Sequence, residues 1–168
     1  MKKITAIILL SWMVIACNSK PIHYPNVDNN QIITQLNWGM NYSSTAKVFT
    51  DNFKLDFSRE LEQGKKNESA RVYEFSGGKY NNINTAKWVS AFENDSLQFI
   101  TIMLAESEKA NDYFFNVLTE KFNTDHISLD NSAGDEQRWH IEKAGKNIAL
   151  VMLNKDGVVL ISKPFLEN

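Results

Sequence analysis

Apolar positions along residues 28–166 change period several times, and each change marks an element. Asp28 is placed to cap a short helix in which Ile32, Ile33 and Leu36 fall on one side. Asn37-Trp38-Gly39-Met40-Asn41 interrupts it, and Gly39 can take a positive φ there. Ser43 or Ser44 then caps a second helix whose Ala46, Phe49 and Phe53 make a narrow apolar face. Phe53, Leu55 and Phe57 alternate, so the helix gives way to extended chain. Residues 58–69 are strongly charged, contain Gly64-Lys65-Lys66-Asn67 and read as a loop.

Strand patterns follow. Residues 71–75 alternate, with Tyr73 and Phe75 on one face; Ala86, Trp88 and Phe92 share a face of a second strand. Residues 97–104 are apolar on both faces, which predicts a central strand. Gly77-Gly78 opens a longer loop, and Glu93-Asn94-Asp95-Ser96 is a hairpin turn. Ala110, Phe114, Val117, Leu118 and Phe122 lie on one stripe of a helix over 107–122 with Ser107 as its cap. Three more strands are expected: Gln137, Trp139 and Ile141 alternate, 148–153 is continuously apolar, and 158–161 follows the Asn154-Lys155-Asp156-Gly157 turn. The order is two helices, three strands, a helix and three strands. Both halves end in a hairpin, which suggests an internal duplication. The natural packing is α+β: one antiparallel sheet of about six strands with helices on one face.

The N-terminus obeys a different logic. Lys2 and Lys3 precede an apolar run from Ile4 to Ile15, and Ala16 is a small residue before Cys17. This is the pattern of a secretory signal. Twelve residues reach only about 18 Å as a helix, short of a hydrocarbon core of about 30 Å. Val14-Ile15-Ala16-Cys17 resembles the lipobox of bacterial lipoproteins. That resemblance implies cleavage before Cys17, diacylation of its sulfur and acylation of the new amino group. Residues 1–16 are then a signal peptide, 17–27 a lipidated cysteine and tether with Pro21 and Pro25, and 28–168 one domain facing the periplasm. Asn18, rather than Asp, follows the cysteine, which favours the outer membrane. A free thiol in an oxidising compartment invites mispairing, and lipid attachment removes it.

Composition narrows the function. With 43% hydrophobic and 23% charged residues the chain is globular in type, neither disordered nor multi-spanning. One cysteine makes no internal disulfide and no zinc or iron–sulfur set. The formal charge is −2, and losing Lys2 and Lys3 takes it to −4, which disfavours nucleic acid as a partner.

A second resemblance lies in the first half. A helix, Trp38-Gly39-Met40, a second helix containing Val48, and a strand holding Tyr73 resemble the SmpA/BamE group of small envelope lipoproteins. That group shares its fold with the β-lactamase inhibitor proteins. A Gly-Met-(Thr or Ser) turn opens its second helix. Here the turn is Gly39-Met40-Asn41 with Ser43 two positions on, and the Gly-Pro pair that often closes that helix is absent. The likeness covers about 70 residues and implies an accessory that binds protein.

Residues capable of chemistry do not assemble into a motif. Asp125, His126, Asp130 and His140 have no metal-ligand spacing, and His23 lies in the tether. Residues 130–136 imitate a calcium loop, but the bidentate Glu of its twelfth position is replaced by Ile141. No nucleophile elbow, phosphate loop or dinucleotide fingerprint occurs. Glu60/Glu62 and Glu106/Glu108 sit in charged runs and read as solvated charge. The expectation is therefore a protein without catalytic residues, metal or cofactor beyond the lipid on Cys17. Trp38, Tyr42 and Tyr80, with Tyr24 beside them, fall in loops or at helix starts and are the candidate partner-binding residues. The expected function is non-enzymatic: an envelope lipoprotein that binds another protein in assembly or in an accessory role. The alternative is an immunity or inhibitor lipoprotein that neutralises a secreted toxin or cell-wall hydrolase.

Overall fold

The computed structural model describes residues 23–61, 69–105, 127–130, 136–143, 146–154 and 156–164. The signal segment, Cys17, the expected helix over 107–122 and His126 lie outside them.

Two short helices open the fold, α1 (Asn29–Gln35) and α2 (Tyr42–Lys47). Asp28 caps α1 as expected: its side chain accepts from the Gln31 amide, and Gln31 Oε1 accepts from the Asp28 amide. The cap of α2 is Asn41, earlier than the expected Ser43 or Ser44; Asn41 Oδ1 accepts from the Ser44 amide at 2.9 Å. A π turn, Val48–Asn52, continues α2 and closes with Phe53 N–H donating to Val48 O. Lys54, at φ 58°, then turns the chain out of helical geometry.

Ten strands follow or flank these helices: β1 (Asn26–Val27), β2 (Asp56–Leu61), β3 (Ala70–Ser76), β4 (Lys79–Tyr80), β5 (Ile83–Glu93), β6 (Ser96–Leu104), β7 (Ile127–Asp130), β8 (Glu136–Lys143), β9 (Lys146–Asn154) and β10 (Val158–Ser162). Eight of them form an antiparallel sheet in the order β2-β3-β5-β6-β10-β9-β8-β7. The pair β1 and β4, parallel to each other, extends it beside the start of β5 and makes the sheet mixed. Two meanders, β2-β3-β5-β6 and β7-β8-β9-β10, therefore meet along the β6–β10 seam.

The architecture is α+β, but the sheet is wider than the six strands expected. Segment 58–61 belongs to β2, not to a loop: it is an edge strand with most side chains in water, so its sequence carries no buried face. β7 has only four residues, too few to show a period. An internal duplication is not shown.

One face of the sheet carries the core. Tyr73, Phe75, Trp88, Phe92, Ile100, Ile102, Val151, Leu153, Val159 and Ile161 are buried in one cluster with Ile32, Leu36, Phe49, Phe53 and Leu55. The π turn sets Phe49 and Phe53 side by side, and the Phe49 ring lies 4.9 Å from Phe75 and 6.0 Å from Trp88, edge-on to both. Each such side chain contributes on the order of 1.5–3 kcal/mol on burial, so this face holds the helices to the sheet. Bulges at Ala86 and Gln98 adjust the β5–β6 pairing, and Asn94 and Asp95, both at positive φ, close its hairpin as expected.

Candidate functional site

The structure separates the residues singled out in the sequence. Gly39 N–H donates to Leu97 O, and Leu97 N–H to Met40 O, so segment 38–42 runs along the start of β6. Trp38 is half-buried, and its indole Nε1 donates to Ile148 O at 2.7 Å. Tyr42, also half-buried, lies against Tyr73 and Phe92, and its amide donates to Asp95 Oδ1 at 3.0 Å. Burial, with Tyr73 and Glu60 nearby, pushes its hydroxyl above the ordinary tyrosine range. Trp38 and Tyr42 thus share one end of the sheet.

Tyr80 is at the other end and has no exposed surface. Its hydroxyl donates to Asn29 Oδ1, and its ring is edge-on to Trp88. Burial, with Asp28 nearby, pushes its hydroxyl strongly up. The two residues of β4 tuck it under α1, so Tyr80 is a core residue and does not face a partner. Tyr24 is half-buried over Gly77.

A different surface is laid out by the strand register. On the face opposite the helices, one row crosses all eight strands: Arg59, Glu74, Val89, Thr101, Leu160, Met152, Arg138 and Asp130. Charged residues stand at both margins, and uncharged, mostly apolar ones fill the middle. The neighbouring row reads Leu61, Val72, Ala91, Phe99, Ser162, Leu150, His140 and Ser128. Met103 and Val158 pair on the other side of the first row. Phe99 is 37% exposed and Met103 36%; Val72, Val89, Leu160, Met152 and Val158 are half-buried. The ring contacts of α2 and the π turn all go to the core face, and no described helix lies over this one.

The margin beside β3 is ordered by Glu74. Its carboxylate meets Lys87 Nζ at 3.1 Å and Arg59 Nε at 3.4 Å. The hydrogen bond from Lys87 leads in holding its pKa below the ordinary carboxylate range, against the opposing pull of burial. On the second row, Ser162 Oγ in central β10 and His140 Nδ1 in β8 are buried with no hydrogen-bond partner among the described residues. Both sit on the Phe99 row, flanking Leu150.

The sequence did hold a sign of this surface. Runs 97–104, 148–153 and 158–161 are apolar on both faces, and such runs also arise where one face awaits a cover. Among the described residues no group of three His, Cys, Asp or Glu side chains is gathered as a metal set, and no helix is long and apolar enough to cross a membrane. Set against known proteins, the chain matches no family model, no curated protein and no solved structure.

Proposed function

We propose that this chain is a lipid-anchored, non-enzymatic envelope protein that binds another protein through the sheet face opposite α1 and α2. The observation that carries the reading is the arrangement of that face. An apolar centre built from Val89, Phe99, Met103, Leu160 and Met152 lies between margins bearing Arg59, Glu74 and Arg138. A desolvated centre inside a polar rim is how stable protein interfaces are built. The occupant is a protein with a complementary apolar surface, and its role is assembly or accessory. The resemblances at Cys17 and over residues 38–73 point the same way, and Asn18 favours the outer membrane. Trp38 and Tyr42 pack on the core side at one end of the sheet and lie outside this contact.

Photo-crosslinking in intact cells tests this. A crosslinkable residue at Phe99 is expected to capture a distinct envelope protein, whereas one at Lys54, away from the face, is not. Adducts at neither site, equal adducts at both, or only copies of this chain would overturn the reading. Separately, Cys17→Ser is expected to abolish acyl labelling.

A further inference from the structure

The polypeptide joins the fold at one end of the sheet. Asn26 and Val27 pair with Lys79 and Tyr80, and these in turn pair with Asn84 and Ile83, the first residues of β5. Asn81 N–H donates to Val27 O at 2.8 Å, and Asn82 N–H to Asn26 Oδ1. The Tyr24 ring covers Gly77 so closely that a Cβ on that glycine would stand 2.9 Å from the Tyr24 hydroxyl. Residues 24–27 are therefore clamped where β5 begins and β6 ends. The β9–β10 turn is at this end too: Leu104 N–H donates to Gly157 O, and Ala105 N–H to Asn84 O.

Trp38, Tyr42 and the Asn94–Asp95 turn lie at the opposite end. Asn94 N–H donates to Ser69 O there, and Asp95 accepts from Tyr42. The 11 residues of β5 join the two ends, a distance of about 33 Å at roughly 3.3 Å per residue. Between Cys17 and the clamped Tyr24 the chain reaches about 25 Å at most, fully extended.

Building on the lipid-anchor reading of Cys17, we infer that the strands stand across the membrane surface, with one end of the sheet against the lipid headgroups. The headgroup end is that of Asn84, Asn82 and Gly157; the end carrying Tyr42, Asn94 and Asp95 points away. A tether shorter than the strand, pinned to one end, keeps that end low. The net charge of −4 left after processing gives the domain as a whole no net attraction to anionic lipid. The face opposite the helices is then presented sideways, parallel to the membrane normal, to a partner standing on the same membrane. That end carries the exposed Asn82 and Asn84, Lys79, and the exposed Asp156 of the β9–β10 turn, polar groups compatible with a wet headgroup surface.

β5 serves as the ruler for the test. Asn84 and Glu93 are both exposed and stand near its two ends. Asn84→Cys and Glu93→Cys are made in the full lipidated chain, where the Cys17 sulfur is already a thioether, and each is labelled with a fluorophore. The proteins are placed in phosphatidylethanolamine–phosphatidylglycerol vesicles containing a headgroup-bound quencher. Quenching is expected to be several-fold greater at position 84 than at 93. Equal or reversed quenching in anchored protein overturns the orientation. Inserting about 20 Gly/Ser residues between Asn18 and Ser19 adds roughly 25 Å of reach and is expected to erase the difference; a difference that persists overturns the tether as its cause. Failure of the anchor reading looks different: the Cys17→Ser chain would bind the vesicles as well as the parent does.

Discussion

Tyr42 lies flat against Tyr73, with ring centroids 3.7 Å apart and planes 19° from parallel. The contact ties the first turn of α2 to the middle of β3, and Phe92 closes it edge-on. Packing therefore holds the side chain that the sequence offered to a partner. Tyr42→Ala is expected to cost about 2 kcal/mol of stability, and Tyr42→Phe under about 0.5 kcal/mol, because the ring and not the hydroxyl makes the contact. Urea midpoints of the two variants check this. If the phenylalanine variant folds normally yet loses its partner, the hydroxyl belongs to the interface.

Phe99 and Met103 are the most exposed large apolar side chains, among the described residues, of the face opposite the helices. Phe99→Ala is expected to weaken partner capture tenfold or more while shifting stability by less than about 1 kcal/mol. Phe57 is even more exposed, at 50%, but lies at the β2 edge against Phe75. Phe57→Ala is accordingly expected to leave capture unchanged. Quantitative pull-down beside thermal melting separates the two effects.

Gly78 sits at φ 85°, and a Cβ there would collide with Leu55 Cδ2 in the core. Gly78→Ala adds a volume the core cannot accept and a conformation that L residues avoid. A loss of roughly 2–4 kcal/mol is expected from denaturant unfolding, with an unchanged slope.

At the acid end, Glu74 is the group to watch. Its carboxyl titrates below its ordinary value of 4.5 because Lys87 hydrogen-bonds the charged form. Its contribution to stability is thus complete above about pH 4.5 and is lost as the pH falls through the lower folded value. Lys87→Met is expected to raise that folded value and flatten this part of the acid profile. Urea unfolding between pH 7 and pH 3 reads both.

At the alkaline end the sign reverses for Tyr80. Burial raises its folded pKa above the ordinary 10.0, so its contribution is complete below pH 10 and fades as the pH rises further. Tyr80→Phe is expected to remove that alkaline loss, at a constant cost of about 1–2 kcal/mol for the hydrogen bond to Asn29. Unfolding at pH 8 and pH 11 distinguishes the two contributions.

The elements with a clear buried side were legible in the sequence. The Asp28 cap, alternating Tyr73 and Phe75, the Asn94–Asp95 hairpin and the Asn154–Gly157 turn all stand where their chemistry predicts. β2 was not legible because an edge strand in water has no inside for its residues to mark. Tyr80 was misread for the opposite reason: two glycines announce a loop, but nothing local reveals that α1 lies over the next two residues. The composition of the face opposite the helices was not legible, because an apolar run does not say which residues of neighbouring strands it will stand beside. Only the register across eight strands lines them up.

The seam between β6 and β10 has a consequence for how the chain is made. β10 is the last of the ten strands in chain order, yet it fills the middle of the sheet, between β6 and β9. Until residues 158–162 arrive, each meander exposes a long, apolar inner edge, open to pairing with any other extended chain. A polypeptide truncated before Val158 would therefore lose its centre and not its border. Its two halves would emerge as sticky fragments, each open to aggregation and to proteolysis.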